Sequence, residues 1–198
     1  NYGDEYKMMG LASYGEPKFY DLIQKNIFNQ NSKNDFELNL NFFNFHKNNF
    51  QYKFDGSPKQ DLLFSKKIHE LLPVIKDEQN IENTKLKSDI ASSAQKVFEN
   101  YLFKIFVKYK KDYDNLVYTG GCALNSLANG KVLEKKIFKE IYIPYAPGDN
   151  GGAIGAALIC HKKNYSQFDT KNLQSPYLGD RYNDEQINDI LIKKYSKK

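Results

Sequence analysis

Three groups of residues in this 198-residue chain have the types and spacing to do chemistry. The first is Tyr118-Thr119-Gly120-Gly121-Cys122-Ala123-Leu124-Asn125, where a β run ends, two glycines turn the chain and a helix begins. Glycines accept positive φ and let a ligand approach where a Cβ would stand. A helix start offers unpaired N–H groups to a phosphate or polar ligand, and Asn125 lies in the first turn, where its amide reaches a ribose or phosphate. The plainer reading is an ordinary strand-to-helix turn. The second group is Pro147-Gly148-Asp149-Asn150-Gly151-Gly152-Ala153-Ile154-Gly155-Ala156-Ala157. Asp149 sits at a helix cap position, where its carboxylate either accepts a backbone N–H or holds a metal at the end of a strand. The small residues after it let a helix pack closely against a neighbour or a nucleotide. The third group is Gly3-Asp4-Glu5-Tyr6-Lys7-Met8-Met9-Gly10-Leu11-Ala12-Ser13-Tyr14-Gly15. Lys7 is there either a phosphate partner or an ordinary lysine on a surface turn.

These groups need elements to position them. Ile90, Ala94, Val97, Phe98, Tyr101, Leu102, Ile105, Phe106 and Tyr109 recur at three and four residues, which predicts a long amphipathic helix over 88–110, capped by Ser88 and lying against a sheet. The β runs 115–118 and 141–143 are expected to be neighbouring buried strands of that sheet. Helices are expected over 123–136 and 151–160, the second after a Pro/Gly turn at 144–148. Strand, glycine turn, helix, strand, turn, helix is an α/β order. A glycine turn after each of two successive strands, with an acid at the second, is how nucleotide sites form at strand ends in such folds. Elsewhere, 1–17 reads as loop and turn, and 18–28 as a helix. Phe36, Leu38, Leu40 and Phe42 alternate as a strand does, as do Phe50, Tyr52 and Phe54, so a hairpin joined through 44–49 is expected. Residues 59–77 are mixed and polar, and 175–198 hold a turn and then a helix through Ile187, Ile190 and Leu191.

Composition excludes several classes. Hydrophobic residues make up 40%, ordinary for a globular chain, and no stretch approaches the roughly 20 apolar residues of a membrane helix. The net charge of +5 comes from scattered lysines. Arginine occurs once, at Arg181, whereas a nucleic-acid reader favours arginine for bidentate contacts, so neither membrane nor nucleic acid is an expected partner. Cys122 and Cys160 stand in no metal spacing and read as reduced cytoplasmic thiols or small core residues. The chain opens on Asn1 in the middle of a motif and reads as a piece of a longer protein.

In this order, the three groups resemble the carbamoyltransferase family that includes nodulation and antibiotic-tailoring enzymes. The resemblance extends to Asp89-Ile90-Ala91-Ser92-Ser93-Ala94-Gln95, to Leu127-Ala128-Asn129-Gly130, to the 38–45 segment and to Tyr177-Leu178-Gly179. Ser13 stands where Pro is common and Cys122 where Val is common. The resemblance implies an actin-like ATPase fold of the hsp70 and sugar-kinase clan, here its second half, with a mixed sheet and packed helices. Residues 1–174 would form that nucleotide- and metal-binding half-domain. Residues 175–198 would begin a linker toward a separate C-terminal domain that makes carbamoyl-adenylate from carbamoyl phosphate and ATP.

Mapped by motif, the resemblance implies that Gly120, Gly121 and Asn125 hold the adenylate, that Lys7 and Gly10 line the same cleft, and that Asp149 ligates iron or another divalent ion, with magnesium accompanying ATP. Histidines from the first half of the domain would complete the metal shell. His46, His69 and His161 show no HxxxH spacing and read as structural or surface residues. The implied activity is O-carbamoyl transfer to a hydroxyl of a sugar or small molecule. The first half of the domain and the C-terminal domain would be needed as partners, so the chain alone would be inactive. No catalytic base is assigned. A tRNA threonylcarbamoyl-transfer relative, expected to lack the Met-Gly-Leu-Ala-x-Tyr-Gly segment, and a non-catalytic actin-like binding module stay open as alternatives.

Overall fold

In the computed structural model, the residues described are 5–28, 36–47, 51–52, 58–59, 64–73, 81–165, 176–177 and 179–195. They fall in two compact units, Asn1–Ile143 and Pro144–Lys198.

The first unit is organised on one long helix. Helices α1 (Glu5–Ala12), α2 (Tyr20–Ile27) and α3 (Ile68–Leu71) precede α4 (Ile81–Lys110). Strand β3 (Asn115–Val117) follows, then a 3-10 turn over Gly121–Leu124, helix α5 (Ser126–Glu134) and strand β4 (Glu140–Tyr142). As expected, β3 and β4 are neighbours; they run parallel, with Asn115 opposite Glu140 and Val117 opposite Tyr142. Tyr118 N–H extends the ladder to the Tyr142 carbonyl at 2.9 Å. Leu102 and Phe106 of α4 join Tyr118, Ala128, Val132 and Phe138 in one core, so the second half of α4 does lie on the sheet. The Phe106 ring meets Tyr118 edge-on at 5.2 Å, a favoured aromatic geometry. Among the described residues the two strands are covered on this face only, which corrects the expectation that they are buried. Val117 and Tyr142 point away from it and are exposed.

Several expectations are corrected. Residues 5–12, read as part of a loop, form α1, because a short helix of weak periodicity draws its stability from packing on α4 rather than from its own pattern. α4 begins well before residue 88, so Ser88 is no cap. It is buried inside the helix, where its hydroxyl donates to the Thr84 carbonyl at 3.0 Å, the back-bond open to a mid-helix serine. The 36–42 strand is replaced by a single bridge between Leu38 and Phe28 and a 3-10 turn at Leu40–Phe42. Asn39 explains the departure, since its amide donates to the Asn26 carbonyl at 2.9 Å and its oxygen accepts Asn41 N–H. Such local bonds compete with strand pairing.

The expected hairpin partner is corrected as well. β1 (Gln51–Tyr52) pairs antiparallel with β2 (Pro58–Lys59), not with 36–42. Phe43 bridges Phe64 instead. Phe50 and Phe54 lie outside the described residues. The described strands therefore make two separate two-stranded sheets rather than one mixed sheet. The architecture is α/β with helix dominant.

The second unit contains α6 (Asn150–Asn164) and α7 (Asp184–Tyr195). Both run where helices were expected, α6 continuing beyond Cys160. No described helix is long and apolar enough to cross a membrane.

Candidate functional site

The Gly120–Asn125 turn is built by a backbone conformation open to glycine and by two asparagines. Gly120 has φ 93° and ψ 170°, a region that a side chain makes costly. Its carbonyl accepts Ala123 N–H at 3.0 Å, which starts the 3-10 turn. Asn125 then caps α5, its Oδ1 accepting Ala128 N–H at 3.0 Å. One turn on, Asn129 Nδ2 donates to the Ala123 carbonyl at 2.8 Å. The Asn129 Oδ1 is buried without a partner among the described residues. The turn is thus held from behind at both ends. Its outer side is open: a Cβ added to Gly120 or Gly121 would meet no atom within 4 Å.

α4 supplies the rest of the support, through residues that the periodicity reading did not mark. Ser88, Asp89, Ser93, Gln95 and Glu99 are all buried polar residues of this helix. Asp89 and Ser93 face the segment after α1. Asp89 Oδ1 accepts Glu16 N–H at 2.8 Å, and its Oδ2 pairs with Lys18 Nζ at 2.8 Å. Ser93 Oγ accepts Phe19 N–H at 2.9 Å and donates to the Asp89 carbonyl at 2.6 Å. The Glu16 N–H, with Lys18 beside it, holds the Asp89 carboxyl down at about 2. The same pairing raises the Lys18 ammonium above its ordinary value. Gln95 and Glu99 face the glycine turn. Gln95 and Asn125 exchange amide bonds at 2.8 and 3.0 Å, and Lys131 Nζ clasps Glu99 at 2.6 and 2.8 Å. Burying polar groups is tolerable only when they are paired, and each side chain of this row has found its partner. Asp89, Ser93 and Gln95 belong to one sequence motif, and the structure shows what its spacing does. One part of the motif docks the segment just after α1, and another docks the Gly120–Asn125 turn.

The expected site residues are placed as follows. Lys7 and Gly10 lie on α1, both exposed. The Lys7 ammonium stands 5.8 Å from the Tyr6 ring centroid. α1 meets the start of α5 where Ser126 Oγ reaches Met9 Sδ at 3.8 Å, which brings the Gly3–Gly15 group beside the Gly120–Asn125 turn. Asn125 is partly covered, and its hydrogen bonds leave one Nδ2 hydrogen without an acceptor among the described residues. Asp149 belongs to the second unit, at the exposed start of α6. Its backbone is already helical and its carboxylate makes no capping bond, so the plainer reading of that residue is not what the structure displays. No three His, Cys, Asp or Glu side chains gather as a metal shell among the described residues, and Asp149 alone is not a metal centre. Both cysteines are exposed rather than core residues. His46 and His69 are exposed, and His161 stacks on Tyr165 at 4.6 Å.

Residues 1–158 match a family model described as the carbamoyltransferase N-terminus. Among curated proteins, an uncharacterised protein of Synechocystis sp. is 35% identical over 193 residues, covering 94% of this chain and 29% of that protein. Nodulation protein NolO of Bradyrhizobium diazoefficiens is 25% identical over 196 residues, covering 98% of this chain and 31% of its own length. A tRNA N6-adenosine threonylcarbamoyltransferase of Prochlorococcus marinus is 27% identical over 164 residues, covering 79% of this chain and 42% of that protein. The chain spans 29% and 31% of the first two relatives.

Proposed function

Because the chain belongs to the carbamoyltransferase family, we propose that the whole protein transfers a carbamoyl group from carbamoyl phosphate, through a carbamoyl-adenylate made with ATP, to a hydroxyl of a sugar or small molecule. The observation that carries the site assignment is the glycine turn. It is pinned from behind by Asn125 and Asn129, while its outer side has room that the fold itself does not use. A preorganised turn of this kind binds without reordering on ligand arrival. In this reading the Gly120–Gly121 backbone and the remaining Asn125 N–H hold phosphate and ribose oxygens. Lys7 and Gly10 line the same cleft from α1.

In the transfer step the acceptor oxygen attacks the carbamoyl carbon, the bond from that carbon to the adenylate oxygen breaks, and AMP departs. The hydroxyl proton leaves to a base not assigned to this chain. Asp149 would be one ligand of a divalent ion, iron by our reading, with the other ligands supplied from outside the described residues. Such an ion polarises a carbonyl or lowers the pKa of a hydroxyl. The actin-like fold and a cytoplasmic location belong to the same proposal.

The match to a tRNA threonylcarbamoyltransferase over 79% of the chain supports a second reading, with tRNA as acceptor. The Met9–Gly15 segment, expected to be missing from such relatives, favours the first. The test uses the whole protein with labelled carbamoyl phosphate, ATP and a panel of hydroxyl acceptors. The expected result is labelled acceptor together with AMP, dependent on both substrates. Transfer without ATP would remove the adenylate route, and label reaching none of the acceptors would remove the function. Threonylcarbamoyl transfer to tRNA would replace it with the second reading.

A further inference from the structure

Gln95 stands on α4, thirty positions from Asn125, and is 4% exposed. Its two amide hydrogens go to Glu99 Oε1 at 2.9 Å and to Asn125 Oδ1 at 3.0 Å, and its Oε1 accepts from Asn125 Nδ2 at 2.8 Å. Glu99, itself 5% exposed, is closed at its far side by Lys131. The two ends of this series dictate the middle. A carboxylate only accepts, so Glu99 requires the nitrogen of Gln95. Ala128 N–H only donates, so it requires the oxygen of Asn125. Both demands are met by one arrangement of the two amides, and turning either amide over breaks bonds at both of its ends. Each amide is therefore locked in a single orientation, which includes the Asn125 N–H left without an acceptor among the described residues.

Stability alone does not call for this series. A buried ion pair or polar row is often matched or exceeded by apolar residues of similar volume, and α4 already packs Val97 and Leu102 in its neighbouring cores. What apolar residues cannot do is orient an amide. We propose that Gln95, held by Glu99 and Lys131, is a positioning residue for nucleotide binding. It locks the Asn125 amide, and with it the Gly120–Asn125 turn, in the form that receives a nucleotide's oxygen atoms. This rests on the reading of the turn as the adenylate site.

The test is a titration of the full 198-residue chain with ATP, followed by NMR at the backbone signals of Gly120, Gly121 and Ala128 and at the Asn125 side-chain amide. It compares the parent chain with Gln95→Leu and Lys131→Met, each with a melting curve. Gln95→Leu is expected to keep a dispersed spectrum, shift the Asn125 amide and Ala128 signals, and weaken ATP binding at the turn about fivefold or more, the worth of one hydrogen bond. A merely structural residue would lower the melting temperature and leave the ATP affinity where it was. Equal ATP affinity in the parent chain and Gln95→Leu would overturn the inference while leaving the proposed function in place. If ATP shifts no turn signal in the parent chain and does not bind the whole protein either, the adenylate assignment and the inference fall together. Should Gln95→Leu not fold, Lys131→Met decides, at a side chain that is 40% exposed. Weaker ATP binding at an unchanged melting temperature supports the positioning role, and unchanged binding overturns it.

Discussion

Asp89 Oδ1 accepts the backbone N–H of Glu16 at 2.8 Å, tying together positions 73 residues apart. Lys18 and Lys85 approach the same carboxylate at 2.8 and 3.4 Å. The carboxyl sits at about 2 in the fold, against about 3.9 in an unfolded chain. Its folded value is the lower one, so its stabilisation is complete above about pH 4 and is lost as the pH falls toward about 2. Asp89→Asn is expected to lower stability at neutral pH and to flatten that acid limb. Urea melts of both proteins across pH 2 to 7, on the order of one per unit, check this. An acid limb that survives in Asp89→Asn would assign it to other carboxylates.

The glycines separate fold from ligand. A Cβ on Gly15 would stand 1.9 Å from the Ser88 carbonyl oxygen of α4. Gly15→Ala is therefore expected to cost about 2–3 kcal/mol or more. Gly120→Ala carries the strain of φ 93° and is expected to cost about 1–3 kcal/mol. Gly121→Ala meets nothing within 4 Å and should move stability by less than about 0.5 kcal/mol, while weakening ATP binding at the turn. Thermal melts beside ATP titrations rank the three. Tight ATP binding by Gly121→Ala would show that the open side of the turn is not where the nucleotide lies.

Tyr118 carries a buried hydroxyl with no partner among the described residues. Burial, with the electrostatic effect of Cys122 a smaller cause, pushes that phenol up to about 12. Since the folded value exceeds the ordinary one near 10, its contribution is complete below about pH 10 and is lost as the pH rises toward about 12. Tyr118→Phe is expected to leave neutral-pH stability unchanged or raise it by up to about 1 kcal/mol, and to flatten the alkaline limb. A clear loss of stability would mean that the hydroxyl is paired in solution.

Asp149 makes no capping bond. Asp149→Asn should therefore leave the melting temperature of the chain nearly unchanged, within about 0.5 kcal/mol. In the whole protein the same change is expected to abolish metal content and carbamoyl transfer together. Normal metal content and full transfer would end the ligand assignment. The chain by itself is expected to show no transfer, because on the proposed reading the remaining metal ligands and the adenylate-forming domain belong to other parts of the whole protein.

What could be read without coordinates was local. The neighbouring strands expected over 115–118 and 141–143, the glycine turn between strand and helix, and the long helix all follow from short-range periodicity and turn chemistry. The glycine turn was legible because Gly-Gly followed by Asn is a strand-to-helix signal in its own right. The same reasoning failed at 36–42, where a period-two run of Phe and Leu was outweighed by the bonds of Asn39. It failed again at 5–12, where the helix depends on its contact with α4.

The sequence by itself determined which residues stand at the glycine turn, at Asp149 and on the two motif-bearing helices, because those patterns are carried by neighbours in the chain. Only the tertiary structure decided what the polar residues of α4 do. Asp89 and Ser93 look like exposed-face residues of an amphipathic helix, and Gln95 looks like a helix former. Their partners, Glu16, Phe19 and Asn125, lie 73, 74 and 30 positions away. A periodic pattern records how often a helix face is apolar. Whether a polar side chain on that helix is solvated or buried depends on which distant backbone and amide groups the fold brings within hydrogen-bond distance of it.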